Sequence, residues 1–449
     1  MKPTLTIRNA VIYQGNNLEV LPTLPDNSVD SIVCDPPYEL GFMGKSWDSS
    51  GIAYSVELWR ECLRVLKPGG HLLAFGGTRT WHRLAVAIED AGFEIRDNIA
   101  WLYGSGFPKS HNISKAIDKA AGAERTVVGS RIADDIRGGN MHAENRGQRH
   151  TIDITASATD DAKAWDGWGT ALKPAHEPIV VARKPLIGTV AENVLQHGVG
   201  GLNIDATRIG MSAKDEKNSA NNWKPQGYES GNNIYEIGTK VIATEQNTIG
   251  RWPANIILDE YTATLLPESN ATGSGKASGF RKGGGDGNSV GLAGTKNAAD
   301  GFSDSGSVSR FFYVAKASKQ DRNQGLENIE GQEISAKGNG LARTCNSCGA
   351  STLDGCDCPD RTFSNPVRQN FHPTVKPTAL MQYLIRLVTP AHGVVLDPFA
   401  GSGSTGKAAI LENKQFIGIE ITPEYLPIIA GRLTHAYETL DRKEVDLFE

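Results

Sequence analysis

The sequence is poor in cysteine, in long apolar runs and in any excess of one charge, and each shortage excludes something. Six cysteines among 449 residues are too few for a disulfide framework. No apolar run approaches the ~20 residues that a membrane-spanning helix needs, and the mean hydropathy is -0.33, so no membrane contact is expected. The opening stretch, MKPTLTIRNAVIYQGNN, holds neither an apolar h-region nor a small-residue cleavage site, which makes the cytoplasm the expected location. A net charge of -5 excludes a generally basic polyanion binder. Any nucleic-acid surface must then be a local patch.

What is present is a strand-then-helix pattern at both ends of the chain. Val29–Asp35 reads as a buried strand that ends in an acid, followed by a loop from Pro36 to about Ser50. A helix over Val56–Leu66 is stopped by Lys67-Pro68-Gly69-Gly70; a strand over His71–Gly76, a helix over Trp81–Ala91 and a strand over Phe93–Leu102 follow. Ile179–Ala182 is a further strand. Near the other end come a strand at Val394–Asp397, a glycine loop, a helix over Thr405–Glu412, a strand at Phe416–Glu420 and a helix over Pro423–Ala436. Alternation of this kind predicts an α/β fold in which both blocks share one doubly wound, parallel sheet. The middle differs: residues 271–310 hold 11 glycines in 40, too little apolar material to order a core, and predict a loop within an inserted lobe.

The glycine loop, Asp397-Pro398-Phe399-Ala400-Gly401-Ser402-Gly403-Ser404-Thr405-Gly406-Lys407, admits three readings. Gly401, Gly403 and Gly406 fit the dinucleotide fingerprint, with Glu420 placed 19 residues after Gly401 to take a ribose hydroxyl. Gly401 to Lys407 fits most of a phosphate loop, but Ala408 stands where a magnesium-binding hydroxyl is required. The third reading is an S-adenosylmethionine site, with Glu420 clamping the ribose. The loop alone does not choose among them.

Asp35-Pro36-Pro37-Tyr38 sits at the carboxyl end of a strand, where open α/β sheets bind ligands. Two prolines remove two N–H donors, leaving the Asp35 carboxylate and the Pro36 carbonyl as acceptors beside the flat face of Tyr38. Acceptors next to an aromatic plane suit an exocyclic amine on a planar base. With this motif first and the cofactor loop last, the chain resembles the β class of S-adenosylmethionine-dependent amino-methyltransferases that act on adenine N6 or cytosine N4 in DNA. The resemblance covers most of 7–110, 165–190 and 370–436 and is weak over 191–365. His372-Pro373-Thr374-Val375-Lys376-Pro377 is similar to the family's element before the cofactor strand.

The resemblance implies a Rossmann-like methyltransferase sheet with an inserted, irregular target-recognition lobe: a catalytic half over 1–190, the insert over 191–364 and a cofactor half over 365–449. It implies Asp35, Pro36, Pro37 and Tyr38 as catalytic residues, with Tyr38 stacking on a base flipped out of double-stranded DNA. S-adenosylmethionine would be held by Asn16, Thr374, Lys376, Asp397, Phe399, Ala400, Gly401, Ser402, Gly403 and Glu420. Many relatives carry Gly-Asp where Gly15-Asn16 stands here; Asn16 still accepts through its amide oxygen. Adenine N6 is the expected target, cytosine N4 the alternative, and a cognate restriction enzyme the expected companion. A nicotinamide-dependent oxidoreductase using the same loop would leave Asp35–Tyr38 unexplained. Cys34 reads as a buried core thiol rather than a nucleophile. The lid over a flipped base is expected at 42–48, phosphate contacts at Arg281, Lys282, Arg310 and Lys316, and core or anchoring roles for Trp165, Trp168 and His176. Cys345, Cys348, Cys356 and Cys358, four thiols within 14 residues, have the clustering of a structural zinc site.

Overall fold

The computed structural model describes residues 1–41, 46–104, 106, 110–134, 149–211, 250–271, 304–316, 319–333, 344–347, 358, 363–365 and 367–446. Its contacts divide the chain into two units. Met1–Asn203, Asn255–Thr262 and Val314–Glu449 form the first; Ile204–Ala254 and Ala263–Tyr313 form the second.

The first unit is built on a mainly parallel sheet. Its strands are β1 (Leu5–Ile7), β2 (Ala10–Gln14), β3 (Val29–Cys34), β4 (Leu66–Phe75), β5 (Glu94–Leu102), β6 (His176–Arg183), β7 (Ile256–Asp259), β8 (Val394–Asp397) and β9 (Gln415–Glu420), in the order β1-β2-β9-β8-β3-β4-β6-β5-β7, with the short strand Tyr313–Ala315 next to β7 at that edge. From β2 to β4 every pairing is parallel. The two ends of the chain therefore meet at the β8–β3 pair, with Leu396 opposite Ile32.

All six residues of β3 are buried, as a central strand requires. Its two polar side chains are paired: Asp30 accepts from Lys67 Nζ at 2.6 Å and from Val394 N at 2.7 Å, and Ser31 bonds Thr389 at 2.7 Å. Helix α1 (Val56–Val65) is capped by Ser55, whose Oγ accepts from Leu58 N at 3.2 Å. It buries Leu58, Trp59, Cys62 and Val65 against the sheet, the stripe that helical spacing predicts. Helices α2 (Trp81–Asp90), α3 (Thr378–Val388), α4 (Ser404–Leu411) and α5 (Leu426–Asp446) supply most of the remaining cover.

Several elements depart from expectation. β4 begins at Leu66, directly after α1, so Lys67–Gly70 lies inside the strand and does not precede it. Gly69 takes φ +80°, and the β3–β4 register shifts between Val29 and Ser31, so these glycines form an irregularity within the ladder. β6 runs antiparallel between β4 and β5, the exception to the parallel core. The hairpin β1–β2 and helix α3 have no counterpart in the sequence pattern, and α5 runs on to Asp446. Trp165 and Trp168 are not in the core: they are 44% and 59% exposed and stack edge-on with ring centroids 5.0 Å apart. His176 is also exposed. Cys34 is fully buried, and burial pushes its thiol well above the ordinary range, which leaves no thiolate for nucleophilic attack.

In the second unit, Glu268–Ala271 pairs antiparallel with Asp304–Ser307. Arg310 donates to the Ser307 carbonyl at 2.6 Å and lies over the Phe311 ring. Arg281, Lys282, Cys348 and Cys356 lie outside the described residues, as do the lid positions 42–45. Cys345 is buried in a short strand paired with Phe363–Ser364, and Cys358 is half-buried. Among the described residues no helix is long and apolar enough to cross a membrane.

Gly406, on α4, packs closely against Phe416 of β9 and Leu433 of α5. A Cβ there would sit 2.5 Å from Phe416 Cε1 and 2.8 Å from Leu433 Cδ2. Gly406→Val should therefore overpack this contact and lower unfolding stability by ~1–3 kcal/mol, measured by urea denaturation; an unchanged midpoint would show that the helix can move away freely.

Candidate active site

The carboxyl ends of β3 and β8 lie side by side where the strand order turns back on itself, the crevice in which open α/β sheets bind ligands. A cavity of about 980 Å³ opens there, lined by Asp35–Tyr38 from one end of the chain and by Asp397–Ser402 from the other.

A buried ion cluster forms one wall. Lys376 Nζ lies 2.9 Å from Asp35 Oδ2 and 3.1 Å from Glu177 Oε2. It also donates to the Tyr38 hydroxyl at 3.1 Å, which in turn donates to Glu177 Oε2 at 2.7 Å. The ammonium sits 5.3 Å from the Tyr38 ring centroid and 4.9 Å from that of Phe75. Burial alone would strip Lys376 of its charge, but the two carboxylates outweigh it and raise its pKa. Asp35 moves upward as well: burial and the nearby Glu177 charge outweigh Lys376. Its second oxygen, Oδ1, is buried and has no hydrogen-bond partner among the described residues. Such an atom costs free energy unless a ligand satisfies it.

The glycine loop forms the other wall. Gly401 and Gly403 adopt φ +52° and +74°, left-handed values that glycine takes without strain. Asp397 accepts from Phe399 N at 2.9 Å and from the Thr405 hydroxyl at 2.6 Å; Glu420 accepts from Gly401 N at 2.7 Å and from Thr422 N at 2.8 Å. Ala400 N is tied to the Ile419 carbonyl at 2.9 Å. Behind the loop, the buried Arg432 donates to the Ser402 carbonyl at 2.9 Å and to Ser402 and Ser404 hydroxyls at 3.0 and 2.9 Å. Lys407 is turned away from the loop, paired with Asp321 at 2.8 Å.

His372 closes the floor. Its Nδ1 lies 2.9 Å from the Thr374 carbonyl and must donate to it, because that oxygen can only accept; burial holds its pKa down at about 3, so the ring is neutral. A Cβ on Gly401 would come within 2.9 Å of His372 Nε2, so this approach requires glycine.

Most of the residues expected at the site line this one cavity: Asn16, Asp35, Pro36, Pro37, Tyr38, Thr374, Lys376, Asp397, Phe399, Ala400, Gly401, Ser402 and Glu420. Asn16 also caps Asn17–Val20, accepting from Leu18 N at 3.1 Å. Lys376, expected at the cofactor, is bonded to Asp35 within this cavity. Asp48 pins the loop after Asp35–Tyr38, accepting from Glu39 N and Leu40 N at 3.0 and 3.2 Å. Sequence reasoning missed Glu177 and Arg432. Glu177 had a faint signal, an acid between His176 and Pro178 at the start of a strand; Arg432 is one basic residue in a helix and had none.

A family model described as DNA methylase matches residues 29–431. The chain belongs to this N6/N4 DNA methylase family. The Type II methyltransferase M.ScaI of Streptomyces caespitosus is 36% identical over 99 residues, 21% of this chain and 33% of that protein. The DNA adenine methyltransferase YhdJ of Escherichia coli (strain K12) is 48% identical over 62 residues, 14% of this chain and 21% of that protein. The Type II methyltransferase M.HindIII of Haemophilus influenzae is 27% identical over 187 residues, 40% of this chain and 45% of that protein. The matched stretch thus spans less than half the length of each of these curated relatives.

Burial pushes the Asp397 carboxyl up to about 7. The unfolded chain loses this proton near the ordinary 3.8, so between those limits the folded state holds the extra proton and stability falls as pH rises. Ligand-free protein should unfold more easily at pH 8 than at pH 5, and Asp397→Asn should flatten that slope in denaturant titrations. A slope unchanged by the substitution would contradict this assignment.

Proposed function

We propose that the chain transfers a methyl group from S-adenosylmethionine to adenine N6 in double-stranded DNA. The observation that carries this reading is the meeting of Asp35–Tyr38 and Asp397–Ser402 in one cavity at the β3–β8 ends. The residues there suit a sulfonium cofactor better than a phosphate-bearing one. The loop's own lysine is bonded elsewhere, so the loop offers a phosphate no cation, and it presents the acids Asp397 and Glu420 in its place. Glu420 lines the same cavity and is the residue we assign to the ribose, and Phe399 and Ile419 offer apolar surface beside it.

S-adenosylmethionine, when bound, supplies an electrophilic methyl on sulfur. The protein's part is positioning. Asp35 Oδ1 and the Pro36 carbonyl each accept one amine hydrogen, drawing the nitrogen toward a tetrahedral shape with its lone pair aimed across the cavity. The target base must leave the duplex to arrive there. Tyr38, held through its hydroxyl by Glu177 and Lys376, presents a fixed ring for stacking. Asp-Pro-Pro-Tyr and the adenine-specific relative YhdJ both support adenine; cytosine N4 offers the same amine and is the alternative. Residues 191–364 are proposed as the target-recognition insert, and a cognate restriction enzyme is proposed as a companion.

Incubation with tritium-labelled S-adenosylmethionine and DNA, then digestion to nucleosides, tests the reading. Label in N6-methyladenine is expected. Label in N4-methylcytosine moves the specificity to the alternative, and hydride transfer from a nicotinamide with no labelled DNA overturns the class. Asp35→Ala should cut kcat more than a hundredfold, ~3 kcal/mol or more, while cofactor affinity by calorimetry stays near wild type; near-normal turnover would remove Asp35 from the chemistry. We also propose that Cys345, Cys348, Cys356 and Cys358 bind one structural zinc. Metal analysis of protein expressed with ample zinc should find one ion per chain, and a chelator should lower DNA affinity while sparing cofactor binding. Protein without zinc would rule the site out.

A further inference from the structure

We propose that Glu177 and Lys376 tune the basicity of Asp35, so that their cluster accepts the one proton that methylation of the amine releases. The inference rests on the methyl-transfer reading above. Its basis is the geometry. One ammonium is shared by two carboxylates, at 2.9 Å from Asp35 and 3.1 Å from Glu177, and the Tyr38 hydroxyl closes the ring of contacts. With all three groups ionised the cluster carries one negative charge, so a single added proton neutralises it. The three side chains come from three separate segments: the end of β3, the start of β6 and the strap before α3.

The step balances as follows. The N–C bond to the methyl forms while the S–C bond of the sulfonium donor breaks, and sulfur keeps that pair as a neutral thioether. The nitrogen, now cationic, releases one N–H proton to Asp35, and the N–H electrons return to nitrogen as its lone pair. The products are a methylated amine and a protonated Asp35 beside Lys376.

The groups that face Asp35 decide how well it does this. Tyr38 and Cys34 come from its own segment, Lys376 from the strap, Glu177 from β6 and Asp397 from β8. Tyr103, after β5, faces Glu177 and Lys376. Lys376 stabilises the Asp35 carboxylate, and Glu177 opposes it. Without the Glu177 charge, Asp35 and Lys376 would collapse into a neutral pair, a satisfied and weaker base. Glu177 is thus a positioning and tuning residue that acts through Asp35 and need not touch the substrate.

Glu177→Gln keeps the shape and an oxygen for Tyr38 while removing the charge. It should lower kcat by a few-fold, up to about tenfold, and move the acidic limb of the kcat–pH profile down by roughly one unit. KM for DNA and the cofactor Kd should stay at wild-type values. Lys376→Gln should move the limb the opposite way, and Glu177→Asp should return it toward wild type. Infrared titration of the Asp35 carboxyl in ligand-free protein, identified by its loss in Asp35→Asn, should show the same two opposite shifts without any turnover. An unmoved limb and band in Glu177→Gln would overturn the proposal, as would a kcat loss accompanied by lost cofactor binding, the mark of a purely structural role. Wild-type protein that transfers no methyl group would instead overturn the functional reading, and the infrared shifts would still report on the cluster.

Discussion

The ammonium of Lys376 is the constraint on which the rest of the site depends. Asp35 and Glu177 are two carboxylates at the inner ends of β3 and β6, and they share this one cation. Taking these charges out of water is costly, and the ion pairs, the Tyr38 hydroxyl and two aromatic faces offset that cost only if all three segments hold their places. Stability and function are coupled at this point. The arrangement that makes the cluster tolerable also leaves Asp35 Oδ1 without a partner among the described residues, the oxygen proposed to accept an incoming amine hydrogen.

The second requirement is topological. Asp35–Tyr38 and the glycine loop stand at opposite ends of the chain, and the pairing of β3 with β8 makes them neighbours. Buried polar side chains secure that pairing: Asp30 holds the start of β8 through Val394 N, and Ser31 is bonded to Thr389 just before it. The loop is then braced from behind by Arg432 and from β9 by Glu420. Glu420 bonds two backbone N–H groups, so an acid read as a ribose ligand also shapes the loop that would face the ribose.

Strong local signals were legible in the sequence. α1 follows its apolar spacing and its Ser55 cap, and β3 and β8 follow short buried runs that end in acids. Pro68-Gly69-Gly70 misled, because a proline and two glycines mark a stop as readily as an irregular strand, and only the partner strand decides which. The direction of β6 was not encoded locally at all; it is set by its neighbours β4 and β5. Trp165 and Trp168 failed for a related reason: aromatic residues suggest a core, yet these two shield each other at the surface. At the site, motif residues were legible because their spacing is specific. Glu177 was not, since its meaning comes from Lys376, which lies far along the chain and reaches it only after folding.

The most direct test of the account is a crystal structure of the protein with a non-reactive S-adenosylmethionine analogue and a DNA duplex containing its methylation site. The account predicts one base rotated out of the helix, with its exocyclic amine within hydrogen-bonding distance of Asp35 Oδ1 and the Pro36 carbonyl, and with the analogue's sulfonium-equivalent centre across the cavity beside Asp397–Gly403. A base that remains stacked in the duplex, or an amine that meets the protein away from Asp35, would contradict it.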